Sequence, residues 1–320
     1  MILVTGATGF LGSEVITQLL KRNTAIRAIK RSTSAIPFNL KDAPIEWRDA
    51  DILNYFDMEE ALDEVKQVYH CAAIISFDPS EKKRMIALNT ESTALIVNLC
   101  LEKNIRLVHV SSIAALGEAK DGELVTEKNI WEYSSHESGY AISKYQSEME
   151  VWRGMAEGLD AVIVNPSIII GKNSSTGSIR FFDLIKKGLE FYPTGNCGLV
   201  DVEDVACSMI TLMDSNVTGE RFIINAENWT YENFFKEIAV NYGIEPPSIK
   251  VRPWLLKLAV PFVKMISMIT GNEYGLTAET VRSACNKRQY DNTKIKKTIN
   301  INFKPINKAI SEACKTTKSE

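Results

Sequence analysis

The 320-residue chain lacks most of the signals that would assign it to a metal, redox, nucleic-acid or membrane class. Histidine is scarce, three in all, and none stands at zinc-ligand spacing with the six cysteines. No two cysteines form a C-x-x-C pair, so Cys71, Cys100, Cys197, Cys207, Cys285 and Cys314 read as reduced, mostly buried thiols. Lysine and arginine are spread along a chain of formal net charge −3, without the basic stripe a nucleic-acid binder needs. No apolar run is long enough to span a bilayer. The longest candidate, 254–270, is interrupted by Lys257, Pro261 and Lys264 and reads as a core or lid helix, or as a contact with a membrane surface. Internal repeats are missing, and the only low-complexity stretch is the tail 315–320, which reads as frayed. The strand-like run Ile2-Leu3-Val4 follows Met1 directly, so we expect no signal peptide and a cytoplasmic protein.

What is present is a large apolar fraction, 45%, enough to bury a sizeable core. Through the first 170 residues short β-rich runs (2–5, 25–30, 45–47, 67–70, 106–110 and 161–165) alternate with helical patterns (10–21, 55–65, 82–103 and 139–156). In the first helix Leu11, Val15, Leu19 and Leu20 recur at helical spacing. Such alternation predicts an α/β fold, a doubly wound parallel sheet with helices on both faces. Beyond residue 170 the order breaks into glycine- and proline-rich pieces. The expected organisation is therefore a nucleotide-binding domain over 1–170, with 171–320 a smaller substrate-binding region interleaved with the sheet.

The strongest motif is Gly6-Ala7-Thr8-Gly9-Phe10-Leu11-Gly12, between the first strand and the first helix. Glycines permit the sharp turn and let backbone approach a pyrophosphate, while the helix N-terminus supplies free N–H groups and a positive dipole end. The second strand ends Arg27-Ala28-Ile29-Lys30-Arg31-Ser32, with no carboxylate to bind ribose hydroxyls and with two adjacent cations. Those cations suit a 2′-phosphate, so the expected cofactor is NADP(H), with NAD(H) as the alternative. Farther on, Tyr140 and Lys144 share one helix face, one turn apart. A nearby ammonium favours the phenolate and brings a tyrosine into range as a proton donor or acceptor. The same spacing at Tyr290 and Lys294 falls outside the strand–helix frame.

The G-x-x-G-x-x-G spacing, the run Val108-His109-Val110-Ser111-Ser112-Ile113-Ala114-Ala115-Leu116-Gly117 and the Tyr140–Lys144 pair together resemble the extended short-chain dehydrogenase/reductase (NAD-dependent epimerase/dehydratase) family. The fold this implies is of the Rossmann type. By the family's pattern the catalytic serine is Ser112, five residues before Gly117, acting with Tyr140 and Lys144. Asp51-Ile52 is similar to the pair that holds the adenine, and His70-Cys71-Ala72-Ala73 to the small-residue turn under the cofactor, where Ala72 and Ala73 would touch it and His70 would be structural. Asn165-Pro166-Ser167, with Gly171, resembles the segment bordering the nicotinamide, and Val200 to Ala206 a further family segment. The likeness is specific to about residue 210 and looser from 250 on. There Trp254, Leu276-Thr277 and Tyr290-Asp291-Asn292 resemble dihydroflavonol-reductase and hydroxysteroid-dehydrogenase members.

The resemblance implies an NADPH-dependent reductase of an aldehyde or ketone, or the reverse alcohol dehydrogenase. Lys144 would also bind the nicotinamide ribose. A nucleotide-sugar epimerase or dehydratase uses the same triad, and a non-catalytic NADP(H) sensor is the third reading, disfavoured by the intact triad. Epimerases of this kind carry an arginine seven residues before Asp204; here that position is Cys197, while Arg180, Lys186 and Lys187 have the pattern of solvent-facing charges. The substrate, a small and largely apolar molecule, is expected among Ser76, Phe77, Ser167, Ile168, Phe181, Phe182, Tyr192 and the helix of Trp254. The family's pairing through two helices, here 82–103 and 139–156, implies a homodimer.

Overall fold

In the computed structural model, residues 1–320 are described except 77, 79, 121, 135–136, 173–176, 253–277 and 317–320. Phe77, Trp254, Leu276 and Thr277 thus lie outside the described residues. Twelve strands are described: β1 Ile2–Thr5, β2 Ile26–Lys30, β3 Ile45–Asp49, β4 Gln67–His70, β5 Arg106–Val110, β6 Ala161–Pro166, β7 Ile168–Ile170, β8 Phe191–Pro193, β9 Asn196–Asp201, β10 Glu220–Ile224, β11 Glu227–Thr230 and β12 Ile249–Val251. The helices that matter to the site are α1 Phe10–Leu20, α2 Tyr55–Ala61, α3 Lys82–Glu102, α4 Gly139–Ala156, α5 Ile179–Lys186, α6 Val202–Asp214 and α7 Tyr231–Tyr242.

Seven parallel strands form the central sheet in the order β10-β6-β5-β4-β1-β2-β3. Alternate residues of each strand enter opposite cores. Val4, Tyr69, Val108 and Val164 face one core with α1 and α6; Leu3, Val68, Leu107 and Ile163 face the other with α3 and α4. Burial on both faces is why these strands read as near-continuous apolar runs. The doubly wound parallel sheet is the architecture expected from the strand–helix alternation.

One element departs from the sequence reading. The helix expected over 55–65 begins as predicted, with Asn54 accepting from the amides of Phe56 and Asp57, but stops at Ala61. The chain then turns through Glu64 at φ 60°, which drops Val65 into the core. Strand β10 comes from the second half of the chain, yet it pairs with β6 and completes the edge of the main sheet. The rest of the second half forms a three-stranded sheet, β11-β9-β7, and a two-stranded one, β12-β8. Among the described residues no helix is long and apolar enough to cross a membrane.

Candidate active site

Strand order reverses between β1 and β4, and the crevice at such a switch point is where open α/β sheets bind ligands. Two turns meet there. Gly6 takes φ +63°, and a Cβ on it would lie 2.7 Å from the Ala72 amide nitrogen. A Cβ on Gly12 would lie 2.3 Å from the Gly6 carbonyl oxygen, so the turn and α1 close up only without side chains at both positions. Thr5 pins the second turn, its Oγ1 accepting from the Ala72 amide at 3.1 Å and lying 2.8 Å from His70 Nδ1. The other ring nitrogen of His70 is 3.2 Å from Thr93 Oγ1, so His70 is a buried structural tether.

Helix α1 starts at an N-cap glycine, Gly9, with no side-chain cap and no acidic residue in its first turn. Its first amides point outward with the dipole's positive end behind them, a fitting cradle for an anion. Thr8 and Phe10 are half-buried, and the Phe10 ring faces Gly171, whereas Leu11 goes into the core and contributes backbone only. At the end of β2 the two cations differ. Lys30 Nζ lies 2.5 Å from Asp49 Oδ1 on β3, whereas Arg31 is exposed with no ion-pair partner among the described residues. Asp51 is exposed, one oxygen accepting from the Leu53 amide, and Ile52 packs against the α3/α4 core.

Ser112, Tyr140 and Lys144 come together at the end of β5. Ser138 caps α4, accepting from the Ala141 amide, and so fixes where Tyr140 sits. The Tyr140 hydroxyl and the Ser112 side chain share a hydrogen bond. Ser112 Oγ also accepts from the Ala114 amide at 3.1 Å, leaving its own proton free to donate. Burial pushes the Tyr140 phenol up from its ordinary value, and the Ser112 bond works against that rise. The Lys144 ammonium donates to the Val110 carbonyl at 2.9 Å, and burial brings it down to about 8. The lowering of Tyr140 expected from Lys144 is therefore not in force in this arrangement, where the ammonium is turned to the strand end.

The Asn165 side chain is fully buried: its Nδ2 donates to the Ser112 carbonyl at 3.0 Å and to Glu148 Oε2 at 2.8 Å. Pro166 closes β6 opposite Ile224, and Ser167, 6% exposed, has its amide on the Ile224 carbonyl. Among the residues expected around the substrate, Phe182 is a correction. It is 2% exposed and packs edge-on against Phe234 of α7, while Phe181 in the same cluster meets Phe234 edge-on and Phe235 at a tilt. Phe181 and Phe182 are the apolar contacts by which α5 docks on α7. Arg180, Lys186 and Lys187 are exposed, as their pattern implied, and Cys197 is buried in β9.

Two site residues had no readable signal. Glu148 lies one turn beyond Lys144 on α4, 1% exposed and surrounded by four donors. Only its spacing from Lys144 could have marked it. Arg288 is ion-paired with Glu118, just past the Ser112–Gly117 run, and hydrogen-bonds the Tyr290 hydroxyl. Its attraction also reaches Glu137, three residues before Tyr140, so two carboxylates meet its charge.

The family model "NAD dependent epimerase/dehydratase family" matches residues 2–225, and the chain belongs to that family. It is an NAD(P)-dependent enzyme of the extended short-chain dehydrogenase/reductase type. A Synechocystis sp. protein named "Putative dihydroflavonol 4-reductase" is 28% identical over 97% of this chain and 92% of its own length. "Cinnamoyl-CoA reductase 1" of Petunia hybrida is 25% identical over 77% of this chain and 78% of its own. Among solved structures, that of gox2253 superposes with a TM-score of 0.86 at 27% identity, covering 100% of this chain and 98% of the other. UDP-glucose 4-epimerase of Thermotoga maritima shares the fold, at TM-score 0.79 and 19% identity, covering 99% of this chain and 98% of the other.

Proposed function

We propose that the protein is an NADPH-dependent reductase of a small, largely apolar aldehyde or ketone, with Ser112, Tyr140 and Lys144 as its catalytic residues. The observation that carries this reading is the hydrogen bond between Tyr140 and Ser112 beside the buried Lys144. A carbonyl oxygen entering between the two hydroxyls would be polarised by Ser112 and take its proton from Tyr140. When bound, the nicotinamide supplies the hydride. The cradle fits such a cofactor. The first-turn amides of Phe10, Leu11 and Gly12 would hold the pyrophosphate, with Thr8 and Gly9 beside it, and Arg31 the 2′-phosphate. Asp51 and Ile52 would meet the adenosine, and Ala72, Ala73, Pro166 and Ser167 would border the rest. Lys144 would turn from Val110 to the nicotinamide ribose, which would bring its ammonium to bear on Tyr140.

In this reading residues 1–170 hold the cofactor and most of 171–320 wall the substrate. A reductase is favoured over a sugar-nucleotide epimerase because, among the described residues, the candidate positions for a substrate-pyrophosphate clamp do not serve: Cys197 is buried, and Arg180, Lys186 and Lys187 face solvent. Relatives named as reductases support it as well. NADPH oxidation is to be measured against a panel of apolar aldehydes and ketones, with UDP-, GDP- and dTDP-sugars tested by calorimetry. Turnover of at least one carbonyl compound and no sugar-nucleotide binding is expected; micromolar binding of any sugar nucleotide would overturn the assignment. The packed pair α3 and α4 would form a homodimer through its outer faces, and light scattering giving a monomer at micromolar concentration would reject that.

A further inference from the structure

We infer that Glu148 is a positioning residue for the Ser112–Tyr140–Lys144 set, locking the ends of β5 and β6 against α4 and giving Lys144 its buried counter-charge. The inference rests on the triad reading above. Glu148 follows Tyr140 and Lys144 along one face of α4 at successive turns. Its Oε2 accepts from Ser111 Oγ at 2.6 Å and from Asn165 Nδ2 at 2.8 Å, and its Oε1 from Arg221 Nη1 at 2.8 Å and Trp152 Nε1 at 3.2 Å.

Two of these donors bear directly on Ser112. Ser111 is its chain neighbour, and the same Asn165 amide group that binds Glu148 holds the Ser112 carbonyl at 3.0 Å. One carboxylate thereby fixes the backbone on either side of the Ser112 α-carbon, while its own helix carries the other two members of the set. A shift of the helix against the strand ends would have to break these bonds first. Charge-assisted bonds of this kind are roughly twice as strong as neutral ones.

The electrostatic part follows from what surrounds Lys144. From α4 it is faced by Glu148, from the end of β4 by His70 and Cys71, and from β5 by His109. The buried face of α3 carries no charged residue. Both histidines are held neutral by burial, Cys71 is pushed up to about 12, and Tyr140 is raised. At neutral pH Glu148 is then the anion that supports the Lys144 ammonium, and Arg221 in turn balances Glu148.

The test needs no substrate. NADPH affinity is followed by fluorescence from pH 6 to pH 10 for the wild type, Glu148→Gln, Glu148→Asp and Lys144→Met, with thermal unfolding of each. Wild-type affinity is expected to fall as Lys144 loses its proton, and Lys144→Met to lack that inflection. In Glu148→Gln the inflection should move to lower pH, by about one unit if the lost attraction equals about a tenfold effect. Glu148→Asp keeps the charge and shortens the arm. Its inflection should stay at the wild-type pH while affinity falls on the order of fivefold, the value of one hydrogen bond. A merely structural carboxylate would lower the melting temperature and leave the inflection in place, so a folded Glu148→Gln with the wild-type profile overturns the inference. Should Glu148→Gln not fold, undiminished affinity in Glu148→Asp does the same. An inflection that persists in Lys144→Met would instead sink the triad reading beneath it.

Discussion

The Lys30 ammonium is held 2.5 Å from the Asp49 carboxylate across the paired edge strands β2 and β3, and its neighbour Arg31 is left exposed. Two adjacent cations in the sequence thus become one spent charge and one available. Arg31→Asp is expected to weaken NADPH on the order of tenfold to a hundredfold, the loss of one charge-assisted contact, and to leave NADH unchanged or improved. Lys30→Ala should cost much less. Equal wild-type affinity for NADPH and NADH, measured by fluorescence titration, would count against the 2′-phosphate assignment.

Tyr140→Phe keeps the buried ring and removes the transferable proton. Turnover with whichever carbonyl compound proves active should fall by about a hundredfold to ten-thousandfold, the range for general acid catalysis, while NADPH binding survives. A Tyr140→Phe enzyme with wild-type turnover would remove Tyr140 from the mechanism.

Lys144 carries a cost in stability. Burial lowers it from an ordinary value near 10.5 to about 8, so the folded state disfavours the ammonium that the unfolded chain carries freely. The penalty is absent above the unfolded value and complete once the pH has fallen below the folded one, so it applies in full at pH 7. Lys144→Met should therefore raise stability by about 1–2 kcal/mol, part of the relief being lost with the Val110 hydrogen bond. Cofactor affinity should drop in the same variant. Calorimetric unfolding showing a less stable protein at pH 7 would refute this.

His70 and His109 face each other with ring centroids 5.3 Å apart, His70 held down to about 3 and His109 well below its ordinary value, both by burial. An unfolded chain takes up protons on these rings below about pH 6.5 while the folded one does not, so stability is lost as the pH falls from there toward the folded values. Each ring contributes a slope of about 1.4 kcal/mol per pH unit in that window. Among the described residues both nitrogens of His109 lack a partner, which makes His109→Leu a mild change near neutrality. It should make the loss of melting temperature between pH 7 and pH 5 visibly shallower. An unaltered slope would show that the ring is not the source.

What could be read from the sequence was local. The Gly6–Gly12 turn, the Tyr140–Lys144 pair and the strands from β1 to β6 each rest on spacing within a few residues. What escaped was non-local. Glu148 draws three of its four donors from 17 to 73 residues away, so its neighbourhood exists only after folding. The pairing of Lys30 with Asp49 depends on the β2–β3 register, and β10 on which edge of the sheet remained open. Phe182 was expected beside the substrate, but nothing near it in the sequence says that α7 covers it.

The arrival of β10 from the second half of the chain bears on how such an enzyme could change over time. A gene cut near codon 170 would encode β6 as a bare edge and would strand Glu148 without Arg221, which β10 brings. The first half, proposed to hold the nucleotide, is therefore tied structurally to the second.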